Sequence, residues 1–281
     1  MQRYLKSVEL KHNINIAYLE KGEKRKETII FIHGLANYHG VWLQNIDELQ
    51  KYFRCIAIDL PGNGYSGRDV KEINMDFYAQ SVIDFIKNLN LQNVTVAGHS
   101  MGGLVAMRAG LKAPQLIKKL ILFAPAGFEY YSPNERLLFK SAITFGNFLN
   151  LDEAQVKQAI KASFFVHNPI GDILINELSE IIQKNDRLKY RKMLEQSIDS
   201  MLEDNIIDEL EMITQETMIF FGEEDMLIPN RFLHPVTSKE IAFIGATKIP
   251  KSSLVLYPKT GHFVQIERAK EVNIEVIHFL N

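Results

Sequence analysis

Residues that could activate a serine for nucleophilic attack occur at three separate places in the chain. The first is Ser100, in the segment 98–102 with the sequence Gly-His-Ser-Met-Gly, which matches Gly-x-Ser-x-Gly and follows the apolar run 94–97. A serine in this pattern lies on a tight turn from a strand into a helix, where the flanking glycines prevent backbone clashes. The pattern therefore predicts Ser100 as a nucleophile.

A serine hydroxyl is a weak nucleophile at neutral pH, so it needs a base that is itself oriented by a carboxylate. His262 follows the apolar run 254–257, and Asp225 follows the apolar run 218–222. Both are expected on loops beyond the carboxyl ends of strands, where open α/β sheets place their sites. Glu224, and after it Glu223, are the alternatives for the acid. The chain order Ser100, Asp225, His262 predicts an acyl-transfer site.

The negative oxygen that forms during such an attack needs preorganised hydrogen-bond donors. The N–H of Met101, directly after the nucleophile, is one candidate, and the N–H of Leu35, in the loop after the run 28–34, is the other. Backbone donors place little constraint on the side chain. Asn37 in the same loop and Phe263 beside the histidine are the candidate substrate-binding residues.

The elements that must position these residues follow from the pattern of apolar runs. Early alternation of apolar and polar residues predicts antiparallel strands, and later continuous apolar runs are typical of parallel strands covered on both faces. Helical stretches separate the later runs, as in a doubly wound α/β sheet. The continuous runs are 28–32, 55–60, 94–97, 120–124, 218–222 and 254–257.

The alternation of strands and helices stops after Pro125 and returns near residue 209. The intervening sequence reads as amphipathic helices, one opened by Asp152 and Glu153 and another over 173–182. This predicts a core of residues 1–126 and 209–281 with a helical cap inserted at 127–208. The alternative is that these helices simply pack on the sheet. Aromatic residues of the segment are expected in the cap's own core or around a pocket: Phe139, Phe145, Phe148, Phe164 and Phe165.

Composition excludes some classes of function and leaves others open. The 281 residues carry a formal net charge of -2, without the basic excess that is usual in a nucleic-acid binder. The single cysteine, Cys55, can form no intramolecular disulfide and is expected to be buried. The N-terminal sequence has no apolar signal-peptide region, and no run reaches the length of a membrane span, so a cytoplasmic location is expected. The oligomeric state stays open.

Two further patterns bear on cofactors and metals. Residues 62–67 match Gly-x-Gly-x-x-Gly after a strand, but a dinucleotide site needs this motif to open a helix. Here Pro61 precedes the motif and charged residues follow it, which favours a glycine-rich loop. The eight histidines lack metal-ligand spacing. Neither a cofactor nor a metal is expected.

Taken together, these segments resemble the α/β-hydrolase-fold superfamily, in its capped esterase, lipase and carbon–carbon hydrolase type, over nearly the whole chain. The resemblance implies a cap over the active site and a reaction without metal or organic cofactor. Ser100 argues against the dehalogenase and epoxide-hydrolase branches, which use aspartate as the nucleophile. The segments that carry the resemblance are His33-Gly34, 59–66, 98–103, 222–225 and Gly261-His262.

Within that superfamily, the expected activity is hydrolysis of carboxylic esters with small to medium apolar acyl or aryl groups, through an acyl-enzyme on Ser100. One alternative is hydrolysis of a carbon–carbon bond in vinylogous diketones. Enzymes of that kind typically have Asn before the nucleophile and Trp after the histidine, whereas this chain has His99 and Phe263. Another alternative is a ligand-sensing protein on a hydrolase fold. The expected partner is a small-molecule ester.

Overall fold

The computed structural model describes residues 5–145, 158, 160–183 and 186–281. The predicted helix opened by Asp152 and Glu153 lies outside the described residues, as do Phe148 and the side chain of Phe145. The strands are β1 Leu5–Leu10, β2 Ile14–Lys21, β3 Thr28–Ile32, β4 Arg54–Ile58, β5 Val94–His99, β6 Ile117–Phe123, β7 Glu216–Gly222 and β8 Ser252–Tyr257. The described α-helices are α1 Leu43–Leu49, α2 Met75–Asn88, α3 Met101–Lys112, α4 Pro133–Phe145, α5 Pro169–Gln183, α6 Arg187–Glu203, α7 Ser238–Lys248, α8 Val264–Glu267 and α9 Ala269–Leu280.

The strands form one sheet in the order β1-β2-β4-β3-β5-β6-β7-β8. Strand β2 pairs antiparallel with β1 and β4, and all other neighbours pair parallel. Strands β3 and β5 are buried along their whole length, as expected for strands covered on both faces. In the edge strand β1, by contrast, three of the six residues are exposed and only Leu10 is buried. This confirms the predicted mostly parallel, doubly wound α/β fold.

The parallel part of the sheet brings the candidate residues to one edge. Strands β3, β5, β7 and β8 run in the same direction, so their carboxyl ends lie together. Leu35 follows β3, Ser100 follows β5 directly, Asp225 follows β7 and His262 follows β8. Residues that are far apart in the sequence therefore meet at this edge, where open α/β sheets bind ligands.

The core beneath this edge is aromatic and aliphatic. Trp42 is fully buried, with its ring centroid 5.2 Å from Phe31 and 5.3 Å from Phe123, so it packs against two strands of the sheet. Cys55 is also fully buried, and burial raises the pKa of its thiol to about 12. The thiol therefore stays protonated at neutral pH and behaves as a small apolar side chain.

Helices α4, α5 and α6 lie between β6 and β7 in the chain and contact the core at defined points. Helix α6 is joined to α2 by a hydrogen bond between the hydroxyls of Ser197 and Tyr78, which lie 3.0 Å apart. After α6, Asp204 accepts a hydrogen bond from Arg108 of α3 at 3.0 Å. None of the described helices is long and apolar enough to cross a membrane. The treatment of residues 127–208 as a separate cap stays a prediction.

Two local predictions can be compared with the structure. The glycine-rich segment 62–67 forms a loop, and the next helix begins only at Met75, so the segment opens no helix. The apolar pattern after the last strand predicts a closing helix over 267–280; the structure has α9 at Ala269–Leu280 and a separate short helix, α8, before it. The break lies at Arg268, whose φ of −123° and ψ of 34° are not helical. Its guanidinium donates to Pro258 O and Thr260 Oγ1, both 2.8 Å away, so the turn is fixed by the loop that precedes His262.

Candidate active site

The turn that carries Ser100 is strained in the way a nucleophile turn requires. Strand β5 ends at His99 and α3 begins at Met101, so Ser100 makes the connection alone, with a φ of 54° and a ψ of −121°. A residue with a side chain rarely adopts a positive φ, and such strain clusters at functional sites. A Cβ atom at Gly102 would lie 2.5 Å from the carbonyl oxygens of Ile32 and His33. Helix α3 can approach β3 this closely only with glycine there.

Asp225 and His262 form a buried hydrogen-bonded pair. The Nδ1 of His262 lies 2.8 Å from Oδ2 of Asp225, and the two residues are 3% and 0% exposed. The other oxygen of Asp225 accepts the N–H groups of Leu227 and Ile228, at 2.8 and 3.1 Å. The carboxylate is therefore fixed on both sides, which fixes the imidazole. Glu224, the main alternative acid, has an exposed side chain.

Ser100 and His262 line the same cavity, and Asp225 lies behind the histidine. Because a carboxylate only accepts hydrogen bonds, Nδ1 of His262 carries the proton. The Nε2 atom of a neutral His262 is then free to accept a proton. The structure thus gathers the three predicted residues around one site, while their catalytic roles stay predictions.

The two residues predicted to supply the oxyanion donors both lie close to Ser100. Met101 is the first residue of α3, where N–H groups have no partner within the helix. Leu35 lines the cavity, and a methyl group at the preceding position 34 would lie only 3.1 Å from Ser100 Cβ. His33 holds this loop, because its Nε2 accepts the N–H of Leu60 at 3.1 Å. The geometry is compatible with an oxyanion hole.

The two predicted substrate-binding residues both line the cavity but are held differently. The amide of Asn37 donates to Leu35 O over 3.4 Å, which is a long hydrogen bond, so it also supports the loop. Phe263 is 3% exposed, and its ring stacks on Phe164 at 4.8 Å between centroids. Phe164 precedes α5, so Phe263 joins the sheet edge to the helical segment. Their part in substrate binding stays a prediction.

His99 has contacts that the sequence did not reveal. Its Nε2 donates to the backbone oxygen of His262 at 3.0 Å, and the two rings lie 4.6 Å apart. Burial holds the pKa of His99 well below its usual value, so the ring is neutral at physiological pH. It can support the base without placing a second positive charge beside it. Its position before the nucleophile was the only signal in the sequence.

A second unpredicted contact ties the histidine loop to the helical segment. The N–H of His262 donates to Ser163 O at 2.8 Å. The Glu267 carboxylate accepts the N–H of Gly261 at 2.9 Å and that of Phe165 at 3.0 Å. The loop of His262 is thus held from two directions, by Asp225 on one side and by the 163–165 segment on the other. The contact of Glu267 with the helical segment could not be predicted locally, because Phe165 lies 102 residues away in the chain.

The side chain of Glu129 anchors the loop that carries Asp225. Glu129, which is 8% exposed, accepts the N–H of Asn230 at 3.0 Å and lies 2.7 Å from Nδ1 of His234. Burial raises the pKa of Glu129. Glu129 lies at the start of the predicted cap, and Asn230 follows Asp225 in the predicted core. This contact therefore also joins the cap segment to the core segment.

The cavity above Ser100 has a volume of about 440 Å³, which is within the range of small-molecule sites. Much of its wall comes from α5 and α6, whose aliphatic side chains carry no polar atoms. These wall residues are Leu178, Ile182, Leu194, Ile198 and Leu202, with the thioether Met201 beside them. Tyr38, next to Asn37, donates a hydrogen bond to Glu177 of α5 and so joins the wall to the loop after β3.

Metal chemistry has no visible site in the described part of the chain. Within those residues no group of three or more His, Cys, Asp and Glu side chains is arranged to hold a metal ion.

Comparison with known proteins gives the family. The model of the alpha/beta hydrolase fold matches residues 27–269. The chain is 25% identical over 254 residues to the pimeloyl-(acyl-carrier protein) methyl ester esterase of Nitrosomonas europaea, covering 83% of this chain and 88% of that protein. A probable hydrolytic enzyme from Pseudomonas aeruginosa PAO1 has the same fold, with a TM-score of 0.85 and 21% identity, covering 99% of this chain and 94% of that one.

A longer relative is the dihydrolipoyllysine-residue acetyltransferase component of the acetoin cleaving system of Pseudomonas putida. It is 24% identical over 278 residues, which cover 94% of this chain but only 66% of that protein. The chain thus spans less than two thirds of the length of this relative, and the relative has further sequence outside the shared region. With the family model matching most of its length, the chain belongs to the alpha/beta hydrolase fold family.

Proposed function

We propose that the protein is a serine hydrolase that cleaves carboxylic esters with small to medium apolar acyl or aryl groups. The observation that carries the proposal is the geometry of one site: Ser100 on a strained turn, and His262 on the same cavity with its Nδ1 2.8 Å from a fully buried Asp225. The name of the esterase from Nitrosomonas europaea supports ester cleavage as the type of reaction. The apolar cavity wall supports an apolar substrate.

The reaction begins when His262 Nε2 takes the proton from Ser100 Oγ, and this oxygen attacks the ester carbonyl carbon. The carbonyl oxygen becomes negative and accepts the N–H groups of Leu35 and Met101. Asp225 keeps the proton on Nδ1 and stabilises the imidazolium that forms. Collapse of the tetrahedral intermediate breaks the bond to the alcohol, which leaves with the proton from His262.

Water then completes the cycle. His262 removes a proton from a water molecule, whose oxygen attacks the acyl carbon bound to Ser100. The second tetrahedral intermediate uses the same oxyanion donors, and its collapse returns the proton to Ser100 and releases the acid. Residues 127–208 act as a cap that limits access of bulk water and sets the size of the acyl or aryl group through the wall of α5 and α6.

The test is hydrolysis of p-nitrophenyl acetate and butyrate by the wild-type protein and by Ser100→Ala. Removing the nucleophile should lower kcat by at least about 10³-fold. Ser141→Ala is the matched control, because Ser141 lies on α4 and its hydroxyl donates to the helix oxygen of Leu137 at 2.8 Å. Its activity should equal that of the wild type. Ester turnover that survives in Ser100→Ala would rule out the proposed mechanism.

A vinylogous diketone in the same assay distinguishes ester from carbon–carbon cleavage. Faster turnover of the diketone than of every ester would replace the proposed substrate class but keep Ser100 as the nucleophile. Binding without any turnover would instead favour a ligand sensor.

A further inference from the structure

The catalytic cavity is not uniformly apolar. Among the described residues that line it, Glu129 is the one acidic side chain. Glu129 is close to the nucleophile turn in space, because Ala126, three residues before Glu129, donates its N–H to Ser100 O at 3.0 Å. Three residues of extended chain span at most about 10 Å. A carboxylate therefore lies within the reach of a small substrate bound at Ser100.

The partners of Glu129 leave it room for one more donor. Its Oε1 accepts the N–H of Asn230 and lies 2.7 Å from the His234 ring, and Tyr131 also hydrogen-bonds to the carboxylate. A carboxylate has about four acceptor sites, so about one remains unused by the residues that the structure describes. Anchoring Asn230 would not by itself need a charge, since a neutral amide oxygen could accept the same N–H.

The charge around Glu129 favours a ligand that donates. His234 lies between two carboxylates, with its Nδ1 2.7 Å from Glu129 and its Nε2 3.5 Å from Glu135. Even a protonated His234 balances only one of these two negative charges. A buried carboxylate is costly unless it is paired, so a donor that enters the cavity gains a strong hydrogen bond there.

We propose that Glu129 is a specificity residue that accepts a hydrogen bond from a hydroxyl or primary ammonium group on the substrate. The proposal rests on the proposed function, because it assumes that the bound molecule is an ester attacked by Ser100. The natural substrate is then an apolar ester with one donor group away from the reacting carbonyl. An analogue with a methyl group in place of the donor leaves the remaining acceptor site of the Glu129 carboxylate unfilled and binds its transition state less tightly.

The experiment compares p-nitrophenyl esters of straight chains with six to nine atoms, each ending in methyl, hydroxyl or ammonium. In a second series of esters, the same chains form the alcohol part of the ester in place of p-nitrophenol. The selectivity ratio is kcat/KM for the donor ester divided by kcat/KM for the methyl ester, at the best chain length. This ratio should be about 10- to 100-fold higher in the wild type than in Glu129→Gln, which is the value of a hydrogen bond to a charged group. A lower selectivity ratio in Glu129→Gln with both the hydroxyl and the ammonium ester indicates hydrogen bonding. A lower ratio with the ammonium ester alone indicates mainly an effect of charge. Either result supports the proposal.

Glu135→Gln is the matched control, because it removes the other carboxylate beside His234 without touching the cavity. Its selectivity ratio should stay within about twofold of the wild type. A ratio that is the same in Glu129→Gln and wild type in both series would overturn the proposal, as would an equal fall in Glu135→Gln.

Failure of the proposed function has a different signature. Hydrolysis of the methyl esters without any effect of Glu129→Gln on the ratio refutes the specificity role alone. If no ester is cleaved, calorimetric binding of the same esters to Ser100→Ala, with and without Glu129→Gln, decides the specificity role independently. A donor preference in binding that Glu129→Gln removes supports it, and equal affinities refute it.

Discussion

The edge of the sheet and the helical wall above it build one cavity by different means. At the edge, polar groups are fixed by short hydrogen bonds: both oxygens of Asp225 are occupied, and His262 is held at its ring and its backbone N–H. The wall of α5 and α6 presents mainly aliphatic side chains, which touch a ligand without directing it. We therefore expect the chemistry to depend on angles and single atoms at the edge, and the fit of the apolar part of the substrate to depend on the shape and volume of the wall. Mutations in the two regions should differ accordingly.

The largest effect is expected at the sheet edge, from Asp225→Asn. The amide can still accept the N–H groups of Leu227 and Ile228, so the loop should keep its shape. It can also present N–H to His262, which favours the wrong tautomer of the base. We expect kcat for p-nitrophenyl butyrate to fall by about 10³- to 10⁴-fold while the Tm changes little.

Glu224→Gln is the control for this variant, since Glu224 is the exposed neighbour in the same loop. Its kcat should stay within about twofold of the wild-type value. If Glu224→Gln lost as much activity as Asp225→Asn, the assignment of the acid would be wrong.

An intermediate effect is expected at Glu267, which joins the sheet edge to the helical segment. Glu267→Gln removes one of the two acceptors that hold the N–H groups of Gly261 and Phe165, so the loop before His262 loosens. We expect kcat to fall by about 10-fold, with a smaller change in KM, because the base is displaced but the wall is intact. Steady-state kinetics with one ester measure both constants.

Glu271→Gln provides the comparison, because Glu271 is an exposed acid of α9 whose ion pair is with Arg268. Activity within about twofold of wild type is expected. A rise in KM at constant kcat in Glu267→Gln would show that Glu267 supports the substrate-binding wall and does not position the base.

The smallest effect is expected at the wall itself. Met201 lines the cavity from α6, and Met201→Ala enlarges the space without changing a hydrogen bond. We expect the ratio of kcat/KM for octanoate over butyrate p-nitrophenyl esters to rise by about 3- to 10-fold, with acetate turnover nearly unchanged. Met212, which is 58% exposed, supplies the control variant Met212→Ala. An equal loss on all chain lengths would mean that the wall contributes to chemistry and not to selectivity.

The same contrast explains what the sequence could and could not predict. The sheet, the turn at Ser100 and the positions of Asp225 and His262 follow from local signals: apolar runs, glycines at a turn, and polar residues just after strands. The parallel sheet then brings these positions together without further information. The break at Arg268 was missed because it depends on bonds to the loop at 258–260.

Long-range contacts were not predictable from one sequence. Glu129, Glu267 and His99 each contact a partner that lies far away in the chain. Nothing in the neighbourhoods of Glu129 and Glu267 distinguishes them from surface or core residues, and His99 was marked only by its position before Ser100. The size of the cavity likewise depends on how α5 and α6 pack over the sheet, which helical periodicity does not determine. The role of Leu35 and Met101 as oxyanion donors and the boundaries of the cap stay predictions.

The most direct measurement of the central claim is covalent labelling with a fluorophosphonate, followed by mass spectrometry of the intact protein and its peptides. An alcohol that a buried imidazole and carboxylate activate should react once per chain, with the adduct on the peptide that contains Ser100 and much slower labelling in Asp225→Asn. An unlabelled wild-type protein, or an adduct at any other residue, would contradict this account.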